Sequence, residues 1–428
     1  MKFKLSNSTP LLKASYFNAI LVFVKVATAI ITSKVIAIFL GPSGLALLGN
    51  LKNFIQTASS FTAEGYQNGT IRYVSEMDNN EKQKDKISAT IFQLSLGFSL
   101  IIGVFLFLFA SFFSRFVFQT IDYDYIIKLI GICLPFLSIN LVIIYILNGL
   151  EDYKRMVIVS SVLSIVNMLT SVILVINYGI SGGLVAVILG QVLVFILNLF
   201  FLGSHRKILK NIFRFHLFSI EVLRNMNKYF LMAIYSAAIV SINLLLIRNL
   251  IIDHLNLREA GYWEAMQRIS GFYIMFFTSL TSFYLLPRLS KVDSYQLFKK
   301  EIKSFYLLSI PLLIIIFFTI YFLRFILIKV FLNDDFLPTS SLFFWQLIAD
   351  FISVLAIALV KQFHAKLMIK AYVFCNGLLN ILYFVLSYIF IERYGLVGVV
   401  KAYALSYFIY LVFVFLFVYN YFKNKQNV

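Results

Sequence analysis

Charged residues are scarce in this sequence, and cysteine and histidine are scarcer still. Only 13% of the 428 residues are charged, whereas 61% are hydrophobic and the mean hydropathy is +0.89. This composition excludes a soluble globular domain and a disordered chain, and it is typical of a polytopic membrane protein. The two cysteines, Cys133 and Cys375, lie in apolar runs, so no disulfide framework is indicated. The first apolar run lacks a small-residue cleavage site and is expected to be a retained helix.

Patterns that carry catalysis or bind metals are also lacking. The four histidines show no metal-ligand spacing, and no glycine-rich phosphate loop is present. We therefore expect neither an enzyme nor a metal or cofactor. A membrane glycan polymerase or ligase is the less favoured alternative, because it would need a large outer loop and the sequence offers only short ones.

Hydropathy predicts about twelve membrane-spanning helices, near residues 14–39, 44–70, 88–113, 125–150, 156–177, 183–203, 229–250, 260–286, 304–331, 341–360, 371–391 and 397–420. An even number of spans puts both termini on one side of the membrane. The termini and the loops on their side hold 24 of the 37 Lys and Arg residues, and the opposite loops hold three. The positive-inside rule therefore predicts cytoplasmic termini. The same distribution explains most of the net charge of +18 as charge that sets the membrane topology, in loops that can also contact anionic lipid head groups, without a nucleic-acid partner.

The two halves of the chain resemble each other. The segment Asn177–Leu184 precedes the sixth span, and the similar segment Arg393–Val400 precedes the twelfth, half a chain length later. Lys52 and Arg268 are separated by the same offset. The sequence thus predicts an all-α membrane protein with two six-helix lobes, related by a pseudo-two-fold axis along the membrane normal. The predicted boundaries are 1–203 for the first lobe, 204–228 for a basic cytoplasmic linker and 229–428 for the second lobe.

The second predicted span carries a polar stripe. Its members lie within about 100° of one helix face, and they are Lys52, Gln56, Ser59, Ser60, Gln67 and Thr70. A charge near the bilayer centre costs roughly 2.5–3.5 kcal/mol, so it normally faces a bundle interior or a water-filled cavity. The stripe therefore predicts a place where a polar, anionic group docks or passes.

Three further spans carry intramembrane charge. Lys25 lies near mid-depth in the first span, and Arg248 lies in the seventh. Glu264 and Arg268 in the eighth have the i, i+4 spacing of an ion pair. We expect spans one, two, seven and eight to line a central cleft, as in a transporter. Taken singly, each charge is also compatible with snorkelling or with a helix–helix ion pair.

Two carboxylates within the spans are candidates for ion coupling or gating. Asp350 has Gln346 at i, i+4 in the tenth span, although such a pair can also simply brace two helices. Glu64 lies near the cytoplasmic mouth with Arg72, which suits a gate. A carboxylate in a partly dry cleft can exchange a proton near neutral pH, which coupling requires.

Trp263 and Trp345 lie near the outer ends of their spans. This position predicts an interfacial aromatic belt, with stacking on sugar rings as the alternative.

Several segments together resemble the Wzx-type O-antigen and enterobacterial common antigen flippases, a polysaccharide branch of the MATE-like MOP exporter superfamily. The similarity runs nearly end to end, and its main segments are Lys25 to Lys34, Phe39–Leu45, Asn68–Val74, Gly261–Trp263, Tyr284–Ser290 and Phe344–Asp350. The family's cationic cleft corresponds here to Lys25, Lys52, Arg72 and Arg248. Glu264 and Arg268 stand where relatives carry neutral polar residues.

The resemblance implies a MOP/MATE-like fold in the bacterial inner membrane. It implies a flippase that moves an undecaprenyl-pyrophosphate-linked O-antigen unit, or a related surface-polysaccharide unit, to the periplasmic leaflet by ion-coupled alternating access. It also implies that the O-antigen polymerase and chain-length regulator are partners. The main alternative is a cation-coupled multidrug antiporter of the same superfamily, which would need acidic cavity walls, whereas the walls predicted here are net basic.

Overall fold

The computed structural model describes residues 10–76, 81–201, 210 and 213–426. Within these residues the chain forms helices and no β-strand. The α-helices are α1 (Pro10–Thr62), α2 (Gln67–Glu76), α3 (Glu81–Leu108), α4 (Ala110–Phe118), α5 (Asp124–Gly149), α6 (Tyr153–Phe201), α7 (Ile220–His254), α8 (Leu257–Leu280), α9 (Leu286–Ser290), α10 (Tyr295–Phe331), α11 (Phe343–Ala365) and α12 (Ile369–Gln426). A π-helical turn, Thr281–Leu285, joins α8 to α9, and the 3₁₀ turns are Glu64–Tyr66, Phe215–Leu217 and Asp334–Leu342.

Three of the longest helices are each broken by one glycine. Gly41 in α1, Gly179 in α6 and Gly395 in α12 have φ angles of 62°, 59° and 57°, with ψ angles of −167°, −136° and −143°. This backbone region is open to glycine almost alone, so each glycine ends one helical arm and begins the next. The breaks fall within the short loops that hydropathy places between consecutive spans.

The helix count agrees with the prediction. In the described chain, seven helices are long and apolar enough to cross a membrane, and α1, α6 and α12 are among them. Each of these three supplies two arms. The helices α7 and α8, of 35 and 24 residues, are long enough to span but more polar. Dividing the three broken helices and adding α7 and α8 gives twelve spanning segments in the described residues, and the protein is a multi-pass membrane protein.

The chain divides into two compact units. Unit 1 contains Leu47–Ile242 with the chain up to Leu40, and unit 2 contains Gly41–Ala46 with the chain from Asn243 onward. The division falls inside α7, because its first turns place Val222 and Leu223 against the apolar core of unit 1. Most of the first half of the predicted linker 204–228 lies outside the described residues, and α7 already begins at Ile220. The predicted six-helix lobe boundaries stay a prediction.

Unit 1 is built around α5. This helix packs against α2, α3, α4 and α6, and its core includes Phe92, Val142 and Ile146. The backbones of α3 and α5 come close together at Gly103 and Gly131, because a Cβ added at either one would overlap the carbonyl oxygen of the other. Membrane helices gain no hydrophobic driving force by associating in lipid, so close packing drives their association, and small residues permit that close packing.

Unit 2 is built around α11. This helix packs against α8, α10 and α12, and one apolar cluster of unit 2 includes Phe305, Phe363 and Phe422. Gly261 of α8 lies so close to Pro42 that a Cβ there would overlap the Pro42 backbone. This contact explains why the short segment after Gly41 belongs to unit 2.

Each unit has a second glycine three residues after a helix break, Gly182 in α6 and Gly398 in α12. A Cβ at Gly182 would overlap the carbonyl oxygen of Leu174, and a Cβ at Gly398 would overlap that of Phe390. The matched geometry, at corresponding positions of the two halves, supports the internal duplication that the sequence predicts.

Alanine at either of these glycines is expected to destabilise the protein. Forced overlap with a fixed backbone oxygen costs about 1–3 kcal/mol, so Gly182→Ala and Gly398→Ala should each lower the thermal unfolding temperature in detergent. The matched controls are Gly97→Ala and Gly271→Ala, where a Cβ meets nothing within 4 Å. These controls should be neutral or slightly stabilising. Equal unfolding temperatures in all four variants would refute the close approach.

Two predicted spans have different limits in the structure. The second predicted span, 44–70, is wrong as one continuous helix, because α1 ends at Thr62 and a 3₁₀ turn follows before α2. Gln67 and Thr70 therefore do not share a helix face with Lys52. The ninth span begins nearer the N-terminus than predicted, at Tyr295, because the Ser294 side chain caps α10 by accepting a hydrogen bond from the Leu297 amide at 3.3 Å.

Candidate functional site

Unit 1 carries two exposed lysines on the arms of α1. Lys25 precedes the break at Gly41, and Lys52 follows it. At about 1.5 Å of rise per residue, these lysines lie about 24 Å and about 17 Å along their arms from the break. Because the hydrocarbon core is about 30 Å thick, both lie within it if the break is near one membrane surface. An exposed ammonium at that depth requires water or an anionic partner.

The remaining candidates of unit 1 are only partly brought together. Gln56, one turn after Lys52, donates a hydrogen bond to Glu64 Oε2 at 2.6 Å, and both side chains are half-buried. Ser60 is fully buried, and its hydroxyl donates to the carbonyl oxygen of Thr57 at 2.6 Å. The expectation that Ser60 faces the same open stripe as Lys52 is therefore wrong, since its helix backbone satisfies it inside the bundle. Arg72 lies exposed on α2.

Unit 2 holds a charge cluster between α7 and α8. Glu264 accepts a hydrogen bond from Arg248 on one carboxylate oxygen, and on the other oxygen it accepts from Arg268 Nε at 2.9 Å. The predicted i, i+4 pair is confirmed, and Arg248 is an additional member. Arg248 is 2% exposed and Glu264 6% exposed. Two guanidinium groups contact one carboxylate in a region of low dielectric. Such a cluster can attract an anion on the side of the more exposed Arg268.

The tryptophans do not both lie where an interfacial belt would put them. Trp263 is fully buried and packs under the Arg248 guanidinium, 5.1 Å from the ring centroid, so its predicted place in the belt is wrong. The indole compensates a buried cation that water cannot reach. Trp345 is half-buried, and Lys401 Nζ lies 5.3 Å from its ring and 3.8 Å from the ring of Tyr394.

Asp350 is fully buried on α11 in a shell of neutral donors. Its Oδ2 accepts hydrogen bonds from Ser270 at 2.7 Å and from Tyr273 at 2.5 Å, and its Oδ1 accepts from Gln346 at 3.1 Å. Within the part of the chain that the structure describes, Asp350 has no ion-pair partner. Three neutral donors leave a full negative charge only partly compensated, which favours the uptake of a proton or cation.

Sequence reasoning missed the long-range members of both clusters. The Gln346–Asp350 pair is local, but Ser270 and Tyr273 lie 80 and 77 residues from Asp350 along the chain. The sequence gives little sign that Ser270 and Tyr273 belong to a site, because on α8 they lie roughly opposite to the face that carries Glu264 and Arg268. Lys361 was also missed, and its ammonium donates to Ser282 at 2.9 Å.

The lysines of unit 1 and the charge cluster of unit 2 belong to separate units, and the single cleft predicted for them stays a prediction.

Comparison with known proteins identifies the chain's relatives. The family model described as polysaccharide biosynthesis protein matches residues 11–293, about two thirds of the chain. The chain belongs to this family. The chain is also 25% identical over 400 residues to the Lipid III flippase of Escherichia coli K12, and the alignment covers 94% of this chain and 96% of that relative.

Solved structures confirm the MOP/MATE-like fold of this family member. An inward-facing multidrug resistance MATE family transporter of the MOP superfamily matches with a TM-score of 0.77 and 14% identity, covering 95% of this chain and 99% of that one. The Lipid II flippase MurJ, in an inward closed conformation, matches with a TM-score of 0.73 and 16% identity, covering 95% of this chain and 87% of that one. At these identities the likeness is one of fold.

Proposed function

We propose that the protein is a lipid-linked oligosaccharide flippase whose cargo is an undecaprenyl-pyrophosphate-linked O-antigen unit or a related surface-polysaccharide unit. The observation that carries this proposal is the nearly full-length similarity to a protein named Lipid III flippase, within a polysaccharide biosynthesis family. The fold is shared with transporters, and transport by alternating access needs no covalent chemistry.

The lysines of α1 suit the diphosphate of this cargo. Lys25 and Lys52 are exposed on the two arms of α1, and an ammonium attracts phosphate as a point charge. Arg72 and Arg268 would extend this attraction, since both carry a positive charge. We infer that the diphosphate is drawn in by these cations, while hydroxyl and amide groups such as that of Gln56 replace water around the sugars.

The polyprenyl tail follows a different path from the head group. Each buried CH₂ group is worth roughly 0.8 kcal/mol, so the tail stays in lipid while the head group crosses. Translocation therefore requires a lateral opening through which head group and tail remain connected. We place the protein in the bacterial inner membrane, as its similarity to the Lipid III flippase suggests. The Lys and Arg distribution supports placing both termini in the cytoplasm.

Asp350 is the proposed ion-coupling residue, with Glu64 as a second candidate. Asp350→Asn keeps the size of the side chain and removes its charge, so a proton or sodium gradient should no longer accelerate flipping in proteoliposomes. The gradient-independent rate should remain within about twofold of wild type, because the amide oxygen can still accept from Ser270 and Tyr273, and the Gln346 amide can turn so that its oxygen accepts from the new NH₂ group. If the gradient accelerated flipping by Asp350→Asn and by Glu64→Gln as much as by wild type, neither residue would be the ion-coupling site.

The cargo is tested in cells. Deleting the gene should abolish the surface polysaccharide, and the undecaprenyl-linked unit should accumulate where a membrane-impermeant glycosidase cannot reach it. Restoring the gene should return the unit to the periplasmic leaflet. Unchanged surface polysaccharide combined with new sensitivity to cationic drugs would overturn this function in favour of a multidrug antiporter.

A further inference from the structure

An apolar groove of about 840 Å³ runs along unit 2 between α10, α11 and α12. Leu355 and Leu359 of α11 line one wall, and Leu411 and Phe415 of α12 line another. The hydroxyl of Tyr306 on α10 donates to the carbonyl oxygen of Leu355 at 2.8 Å, which ties α10 to α11 at the groove. None of the candidate site residues lines this groove.

The groove walls are exposed in segments that span the membrane. Leu307, Val412 and Phe415 are 67%, 43% and 45% exposed, and all three lie within membrane-spanning helices. Apolar side chains at this depth contact lipid chains rather than water. The groove volume lies within the range of small-molecule sites, so the groove has room for an acyl chain.

One end of the groove is cationic. Lys299 and Lys303 line it from the first turns of α10, are spaced i, i+4 on one face, and are both exposed. Neither forms an ion pair with any residue that the structure describes, and the nearby Glu301 pairs with Arg288 at 3.2 Å instead. An apolar trough with two ammonium groups at one end fits an amphiphile that has an anionic head and an apolar tail.

We propose that this groove binds an anionic membrane phospholipid, with its phosphate against Lys299 and Lys303 and an acyl chain along Leu359 and Phe415. The Lys and Arg distribution predicts that this end of α10 faces the cytoplasm, where anionic head groups attract basic side chains. A soluble anion could contact the two lysines, but it would leave the apolar walls uncovered, whereas a phospholipid covers both. The site is separate from the proposed function and does not depend on it.

Lipid binding to the full-length protein in detergent tests this proposal by native mass spectrometry. The probes are dioleoyl phosphatidylglycerol and dioleoyl phosphatidylcholine, which share their chains and differ in head-group charge. The first should bind more tightly, and Lys299→Gln/Lys303→Gln should weaken its binding by roughly 10- to 30-fold. The matched control is Lys291→Gln/Lys300→Gln, which removes two charges from the same end of unit 2 outside the groove and should bind as wild type does.

A second variant separates the groove from the charge. Val412→Trp fills the apolar trough at an exposed position and should weaken phosphatidylglycerol binding with both lysines in place. Equal affinity for the two lipids, or equal loss in both lysine double variants, would overturn the proposal. Displacement of phosphatidylglycerol by equimolar polyprenyl diphosphate would also overturn it, because the groove would then belong to the cargo lipid.

Discussion

Glu264→Gln is expected to destabilise the protein by roughly 3–5 kcal/mol, the largest stability effect we anticipate for a single charged residue. The substitution leaves Arg248 and Arg268 side by side without the carboxylate that both contact. Arg248 is nearly inaccessible, so water cannot replace the lost anion. Thermal unfolding in detergent, followed by circular dichroism, measures the effect.

The matched control is Arg393→Gln, which removes one exposed charge from unit 2 and should leave the unfolding temperature unchanged. The double variant Arg248→Met/Glu264→Leu removes the buried pair together. It should be more stable than Glu264→Gln, because Arg268 can turn toward its exposed side. A Glu264→Gln protein as stable as wild type would contradict the ion cluster.

Lys25→Ala and Lys52→Ala are each expected to reduce the flipping rate by about 10- to 100-fold, the range that follows from losing one charge-assisted hydrogen bond to the diphosphate. Both lysines are exposed, so neither change should alter stability by more than about 0.5 kcal/mol. Flipping of a labelled, diphosphate-linked oligosaccharide lipid in proteoliposomes provides the rate.

Two comparisons make the lysine prediction specific. Lys154→Ala removes an exposed charge from the start of α6 and should flip at the wild-type rate. Lys52→Arg keeps the charge and should retain most of the activity. If Lys25→Ala and Lys52→Ala both flipped normally, the diphosphate would have to be recognised elsewhere, and the flippase would remain without these residues in its mechanism.

The fold followed from local sequence signals. Apolar runs predicted the spans, and the short loops predicted between them contain Gly41, Gly179 and Gly395, where the structure breaks the long helices. The Glu264–Arg268 and Gln346–Asp350 pairs were also predictable, because both have i, i+4 spacing on one helix. Signals of this kind require no knowledge of how helices pack.

The contacts between different helices could not be predicted from the sequence. Arg248 reaches Glu264 from another helix, and Ser270 and Tyr273 on α8 reach Asp350 on α11 from far along the chain. A helical wheel also treats Ser60 and Lys52 alike, although packing buries the first and exposes the second. Tertiary packing decides these cases, and a single sequence does not report it.

The most direct test is the flipping assay with the wild-type protein alone. Liposomes that contain the protein should make an undecaprenyl-diphosphate-linked oligosaccharide accessible to an external glycosidase in both leaflets, whereas protein-free liposomes should protect about half of it. Protection of the same fraction with and without the protein, in preparations that still transport another substrate, would contradict the assignment as a lipid-linked oligosaccharide flippase.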